Sequence, residues 1–151
     1  MMRRLSGARR YGRALALALA VPALAAAAAG CENKPRVLEL RMFTEDLSIR
    51  VSTDPVPPHA REDVVFKVVV NDRKSGRPIE KGEGRLFAMN EDSVQKWDGL
   101  EPGPETGTYY ARLNFVTAGQ WAIGMQFRRD STQRLQRLDW MQQVFAERTG
   151  S

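Results

Sequence analysis

Apolar and polar side chains alternate along much of this chain with a period of two residues, as is typical of β-strands that bury one face. The alternating segments are short and are separated by turns rich in Gly, Pro, Asn and Asp. They predict strands over residues 38–42, 47–51, 64–70, 85–89, 109–115 and 121–127. After residue 30 the sequence has no apolar run of the roughly twenty residues that span a membrane. The pattern therefore predicts an all-β domain.

Two local patterns refine this prediction. The segment 64–70 is apolar on both faces apart from Lys67, which favours a strand in the centre of a sheet. Ala118-Gly119 is a short link, and we expect it to join the strands on either side as a hairpin.

The last segment, residues 135–145, fits two periods. Leu138, Trp140 and Val144 follow strand spacing. Helical spacing is followed instead by Leu135, Leu138, Met141 and Phe145. We predict a strand, because it would complete a sandwich of about seven strands.

Residues 105–111, Glu-Thr-Gly-Thr-Tyr-Tyr-Ala, resemble the tyrosine corner of immunoglobulin-like domains. In that motif a tyrosine near the start of a late strand bonds back to the preceding corner. Tyr109 would be that structural tyrosine, and Ala111 would occupy the place of an antibody cysteine. The missing cysteine pair excludes the antibody subgroup, so we predict a single immunoglobulin-like β-sandwich over residues 37–151.

The first thirty residues have the three parts of a secretory signal peptide. Five arginines and no acidic residue precede an uncharged run from Ala14 to Gly30. This run of about 17 residues is at the lower limit for a membrane-spanning helix and is rich in alanine. We predict a cleaved signal peptide over residues 1–30, the alternative being an uncleaved single-pass helix.

The run ends at Ala28-Ala29-Gly30-Cys31, which resembles the lipobox of bacterial lipoproteins. The resemblance implies lipid attachment at Cys31, although Ala28 stands where leucine is usual. Cys31 is the only cysteine, so it has no intrachain disulfide partner. Cleavage by ordinary signal peptidase within residues 25–29 is the alternative. With a lipid on Cys31, residues 31–36 would be a polar tether. The protein would be anchored to the outer membrane or to the periplasmic face of the cell envelope.

The net charge of +5 belongs to the leader. Because residues 1–30 hold five of the 23 basic side chains and none of the 18 acidic ones, residues 31–151 carry 18 of each. A neutral body lacks the basic excess of nucleic-acid-binding proteins, which excludes nucleic acid as a partner.

Two further stretches resemble a known family. The strand 64–70 followed by Asn71-Asp72 and by Ser75-Gly76-Arg77-Pro78 resembles the "strand, Asp, Gly-Lys-Pro-Val" signature of YtkA-like and FixH-like domains. Residues 105–109 and 115–121 resemble that family's closing "Gly-x-Tyr … Gly-x-Trp" hairpin. The resemblance covers roughly residues 47–127 and implies an immunoglobulin-like sandwich that is exported or membrane-attached. For some members it also implies copper handling or assembly of respiratory oxidases.

The ligands for a copper site are sparse in this chain. Thioethers select Cu(I), but several must converge on the ion. The methionines after the leader stand singly, with no Met-x-Met spacing, at positions 42, 89, 125 and 141, and the one histidine is His59. We therefore predict packing roles for the methionines, no metal and no cofactor, and keep copper handling as the alternative.

Catalytic patterns are equally sparse. His59 lies in a proline loop, with only Glu62 and Asp63 nearby as carboxylates for a triad. A second alternative is a small hydrolase that uses acidic side chains, with the candidates Glu91, Asp92, Asp98 and Glu101. We predict that the protein is not an enzyme.

Trp97 is the candidate partner contact. An exposed tryptophan could bind a protein partner or a sugar, but we expect this ring to tuck under the edge of the sandwich. The sequence thus favours a non-enzymatic envelope lipoprotein that acts as a binding or assembly module for an unknown envelope protein or small ligand.

Overall fold

The computed structural model describes residues 38–149, which form nine strands in two antiparallel sheets. The strands are β1 (Leu40–Phe43), β2 (Leu47–Asp54), β3 (Asp63–Asp72), β4 (Glu83–Asn90), β5 (Gln95–Gly99), β6 (Glu101–Pro102), β7 (Thr108–Asn114), β8 (Gly119–Arg128) and β9 (Gln136–Val144). One sheet has the order β1-β2-β3-β7-β6 and the other the order β5-β4-β8-β9. This arrangement confirms the all-β sandwich, with nine strands rather than about seven.

The predicted signal peptide, Cys31 and the tether lie outside the described residues. Among residues 38–149, no helix has the length and apolar character needed to span a membrane.

The core lies between the sheets and contains the side chains that the two-residue period marks as apolar. A large buried side chain contributes about 1.5–3 kcal/mol to folding. The largest fully buried ones are Trp121, Tyr109, Phe66, Phe115, Phe127, Leu47, Ile49, Leu86, Leu113, Ile123, Met125 and Val64.

Two predictions about single strands are confirmed. β3 lies in the centre of its sheet, hydrogen-bonded to β2 on one side and to β7 on the other. The last segment is strand β9, in which Leu138 and Trp140 pack against the core and Val144 is fully buried. The strand predicted over residues 38–42 begins too early, because Leu38 precedes β1 and is 78% exposed.

The predicted hairpin across Ala118-Gly119 is wrong. β7 pairs with β3 and β6, whereas β8 pairs with β4 and β9 in the opposite sheet. A short link can serve as a corner between sheets as well as a hairpin turn. Here Phe115 is buried at the corner, and its carbonyl accepts a 2.7 Å hydrogen bond from the backbone N–H of Arg61.

The two strands that the pattern missed, β5 and β6, form one segment that changes sheets at Leu100. The backbone N–H of Leu100 donates to the carbonyl of Gly84 on β4 at 2.9 Å. The Asp98 carboxylate accepts a 2.7 Å hydrogen bond from the backbone N–H of Arg112 on β7. This segment therefore links the two sheets along one side of the sandwich.

The residues that carry the family resemblance have structural roles at one end of the sandwich. Asp72 ends β3 and accepts hydrogen bonds from the backbone N–H groups of Lys74 and Ser75. The Arg129 guanidinium binds the carboxylates of Asp46 at 2.8 Å and Asp72 at 2.6 Å. Arg129 therefore joins the β1–β2 turn, the end of β3 and the segment after β8.

Candidate ligand-binding groove

Tyr109 is buried with both of its hydrogen-bonding capacities used. Its hydroxyl donates to the carbonyl of Ile79 at 2.6 Å and accepts from the backbone N–H of Gly82 at 2.8 Å. Burial raises the pKa of the phenol. Both partners lie in the β3–β4 loop rather than in the corner immediately before Tyr109. The residue thus pins a long loop to the core, which is a structural role.

His59 and the acidic side chains near it hold the end of the chain in place. The Nδ1 atom of His59 lies 2.7 Å from the carbonyl oxygen of Ala146. The carboxylate of Glu62 accepts two hydrogen bonds from Arg148, at 2.9 and 2.7 Å, and this contact lowers its pKa. Asp63 accepts a 3.1 Å hydrogen bond from the side chain of Asn114, so neither Glu62 nor Asp63 is hydrogen-bonded to the imidazole.

The four acidic candidates for hydrolysis lie in two places, with Glu91 and Asp92 in one turn and Asp98 and Glu101 beside a shallow surface pocket. Glu91 and Asp92 are exposed in the turn between β4 and β5, Asp98 is bonded to β7, and Glu101 is exposed on β6. Within residues 38–149, no three His, Cys, Asp or Glu side chains come close enough together to hold a metal ion.

Trp97 lies on β5 with 73% of its surface exposed, so the prediction that its ring tucks under the sandwich edge is wrong. It projects from the outer face of the β5-β4-β8-β9 sheet, beside a shallow groove of about 460 Å³. The groove crosses all four strands of this sheet. Trp97 is its most exposed aromatic side chain.

The strand register builds the floor of the groove. Phe87 on β4 is opposite both Trp97 on β5 and Gly124 on β8, and Gly124 is opposite Asp139 on β9. A Cβ atom at Gly124 would lie 2.2 Å from two atoms of the Phe87 ring. The absence of a side chain at Gly124 is therefore what allows Phe87 to lie over the floor.

The guanidinium of Arg137 lies over the Phe87 ring. The Arg137 Cζ atom lies 4.7 Å from the ring centroid, within the range of a cation–π contact. Asp139 accepts three hydrogen bonds from Arg137, two from Nε at 3.0 and 2.9 Å and one from Nη2 at 2.8 Å. The same contact lowers the pKa of the Asp139 carboxyl. The centre of the groove therefore carries an exposed ion pair beside an aromatic ring.

Basic side chains outnumber acidic ones around the groove. Arg85, Lys96 and Arg137 line it, against the single carboxylate of Asp139. The Arg85 Nε atom donates to the side-chain oxygen of Gln126 at 2.9 Å, and no carboxylate of residues 38–149 lies within 4 Å of this guanidinium. The groove therefore presents uncompensated positive charge.

The four methionines divide between the core and this face. Met125 is buried and Met42 packs against the core, as the strand pattern predicts. Met89 and Met141 are exposed, and both are opposite Ala122 in the strand register, one from each side. Their thioethers therefore lie on the same outer face as Trp97.

Sequence reasoning identified Trp97 but not the residues around it. Phe87, Arg85, Arg137 and Asp139 belong to two strands that lie about 50 residues apart in the chain, and no local motif connects them. The sequence does indicate which side chains of β4, β8 and β9 point outward. This information locates a site only when the order and register of the strands are known.

Comparisons with solved structures show the same fold in proteins of low sequence identity. A DUF4426 family protein from Pseudomonas aeruginosa PAO1 has a TM-score of 0.58 at 12% identity, covering 73% of this chain and 97% of its own. FetP of uropathogenic Escherichia coli strain F11 has a TM-score of 0.54 at 9% identity, covering 70% and 93%. A copper-bound variant of FetP has a TM-score of 0.53 at 8% identity, covering 75% and 94%. At these identities the likeness shows the fold alone.

No protein-family model matches the chain. No curated protein matches it either.

Proposed function

We propose that this protein is a non-enzymatic binding module of the bacterial cell envelope, tethered through a lipid on Cys31, with the groove on the β5-β4-β8-β9 sheet as its ligand site. The observation that carries the proposal is the exposed Trp97 beside a groove that no strand of residues 38–149 covers. Aromatic side chains and arginine dominate the energetics of binding sites. The side chains of His59 and Glu62, by contrast, contact the segment that follows β9.

Three observations support the proposed location in the cell envelope and the proposed membership of the YtkA-like family. The first 31 residues have the pattern of a lipoprotein leader. FetP, which shares the fold, was obtained by expression in the periplasm. Asp72, Gly76, Pro78 and Tyr109, which carry the resemblance to YtkA-like domains, occupy one end of the sandwich, and membership of that family is part of the proposal.

The groove is tested by hydroxyl-radical footprinting of the protein in intact cells and after purification. If a ligand occupies the groove in the envelope, Trp97 and Met89, which line it, will be oxidised more slowly in cells than in the purified protein. Phe43 and Phe145 are the controls, because they are exposed on other surfaces at 57% and 48%. Equal oxidation of the groove residues in both samples, relative to these controls, would contradict the proposal.

The anchor is tested with labelled palmitate. We expect the label to enter the wild-type protein and not the Cys31→Ala variant. Acyl chains contribute about 0.8 kcal/mol per buried methylene, so the variant should also leave the membrane fraction. Label in the variant would exclude lipidation at this cysteine.

Copper handling is the second candidate, favoured by the shared row of Met89 and Met141 and by the copper-bound state of the FetP variant. It ranks second because two thioethers are fewer ligands than a Cu(I) site gathers, and no three stronger ligands converge within residues 38–149. It predicts stoichiometric Cu(I) binding that is lost in Met89→Leu and in Met141→Leu. Met42→Leu, which alters a methionine packed against the core, is the control.

A further inference from the structure

The centre of the groove suits a polar ligand better than the core of a protein partner. The cores of protein interfaces are depleted of charged side chains. Here the Arg137–Asp139 pair lies in the middle of the groove, stacked on Phe87. The volume of about 460 Å³ falls within the range of sites for small ligands, about 300–1,000 Å³.

The exposed ring of Trp97 suits the flat C–H face of a pyranose. An indole offers a rigid apolar face with little conformational entropy to lose on binding. Around it stand planar polar groups, the amides of Gln95 and Gln126 and the guanidinium of Arg85. Such groups donate and accept pairs of hydrogen bonds in one plane, which matches neighbouring hydroxyls on a sugar ring.

The charge of the groove points to an acidic sugar. Arg85 uses Nε to bind Gln126, and none of the described carboxylates neutralises it. A guanidinium in this state is well suited to bind a carboxylate through its two terminal nitrogens. Arg85 pairs with Gln126 in the strand register, two residues along β4 from Phe87. Phe87 is in turn opposite Trp97, so the charge of Arg85 lies close to the ring on which the sugar would stack.

We propose that the groove binds an acidic glycan, a chain of pyranose rings that carries carboxylates, with one ring stacked on Trp97 and a carboxylate bound by Arg85. This inference rests on the proposed function, because it names the ligand class of the same groove.

The test uses a matched pair of hexamers, cellouronate and cellohexaose, which differ only in a carboxylate or a hydroxymethyl group on each ring. Calorimetry on the mature protein is expected to show that cellouronate binds at least about tenfold more tightly than cellohexaose, in line with the loss of a charged hydrogen bond. Hexaglutamate, which has carboxylates but no rings, is expected not to bind. Failure of cellouronate to bind, equal binding of cellohexaose, or equal binding of hexaglutamate would each overturn the proposal.

Two variants locate the site. Trp97→Ala is expected to weaken cellouronate binding at least about tenfold, as at other aromatic hot spots. Arg85→Gln is expected to weaken cellouronate binding at least about tenfold and to weaken cellohexaose binding less, so that the preference for cellouronate is lost. Arg112→Gln is the matched control, an exposed strand arginine on the other sheet. Unchanged binding in Trp97→Ala and Arg85→Gln would place the sugar elsewhere and overturn the proposal.

The footprinting experiment separates this inference from the proposed function. Protection of Trp97 in cells together with no binding of cellouronate would leave a binding groove whose ligand is not an acidic glycan. Absence of protection would contradict both the proposed function and the acidic-glycan inference.

Discussion

At the scale of single residues, the hydroxyl of Tyr109 joins the β3–β4 loop to the core. Tyr109→Phe removes the partner of the Ile79 carbonyl and of the Gly82 N–H. Buried polar groups that lose their partner cost about 1–3 kcal/mol. We expect urea denaturation to show a loss of that size in the free energy of unfolding.

The neighbouring tyrosine is the control for this prediction. The hydroxyl of Tyr110 donates to the exposed carboxylate of Glu105 at 3.0 Å. Tyr110→Phe should therefore change the free energy of unfolding by no more than about 0.5 kcal/mol. Equal effects of the two substitutions would mean that the Tyr109 hydroxyl does not hold the loop.

Gly124 determines the shape of the groove in the same local way. Gly124→Ala would place a methyl group 2.2 Å from the Phe87 ring, so the ring and the Arg137 guanidinium over it must move. Because Phe87 is half-exposed, its ring can move aside, and the loss of its contact with Arg137 should cost about 0.5–1 kcal/mol. We expect thermal unfolding to report this loss. Gly99→Ala, on the same sheet, should have little effect because its Cβ would have no atom within 4 Å.

At the scale of the elements, the end of β3 is sensitive to acid. The backbone N–H of Ser75 and then the Arg129 guanidinium hold the pKa of the Asp72 carboxyl far below its usual range. A carboxyl whose pKa is lowered by folding stabilises the folded state above its unfolded pKa of about 3.9. That stabilisation is lost as the pH falls through the folded pKa.

We therefore expect the free energy of unfolding of the wild-type protein to fall steeply from about pH 5 towards pH 2. Asp72→Asn should be less stable at pH 7 and should show a shallower decline in acid. Denaturation curves at a series of pH values provide the measurement. Glu101→Gln, which alters an exposed side chain on β6, is the control; parallel curves for wild type and Asp72→Asn would show that Asp72 is not the acid-sensitive group.

The elements also show how much of the fold can be predicted from the sequence. Strands β2, β3, β7 and β8 place an apolar side chain at every second position, so their burial follows directly from the pattern. Strand β5 is polar and contains Trp97, Asp98 and Gly99, so it has no period to detect. The sheet to which a strand belongs is not encoded in its own alternation, and for this reason the β7–β8 hairpin was predicted wrongly.

The site was less predictable than the fold for a related reason. Trp97 stands out as a residue type, but its exposure depends on which face of β5 meets the core. The stack of Gly124, Phe87 and Arg137 arises from the pairing of β4 with β8 and of β8 with β9. Such cross-strand contacts come from tertiary structure and have no fixed spacing in the chain.

At the scale of the whole molecule, the charge balance gives a test of processing. The complete chain has a calculated isoelectric point of about 9.8, whereas residues 31–151 carry 18 basic and 18 acidic side chains. If the leader is removed, the protein isolated from cells should focus near neutral pH. A variant that cannot be cleaved, or the full-length chain made in vitro, is the control. Focusing of the cellular protein near 9.8 would contradict removal of residues 1–30.

The change of sheets at Leu100 has a consequence for self-association. The segment that crosses at Leu100 makes β5, with five residues, and β6, with two, the outermost strands on one side of the sandwich. On the opposite side, β1 and β9 are the outermost strands of their sheets and are not paired with each other. Unpaired strand edges are where chains add to one another and aggregate. Fibril growth or strand exchange from the native state is therefore expected to begin at β1 or β9, and the charges of Arg137 and Asp139 on β9 are placed to oppose it.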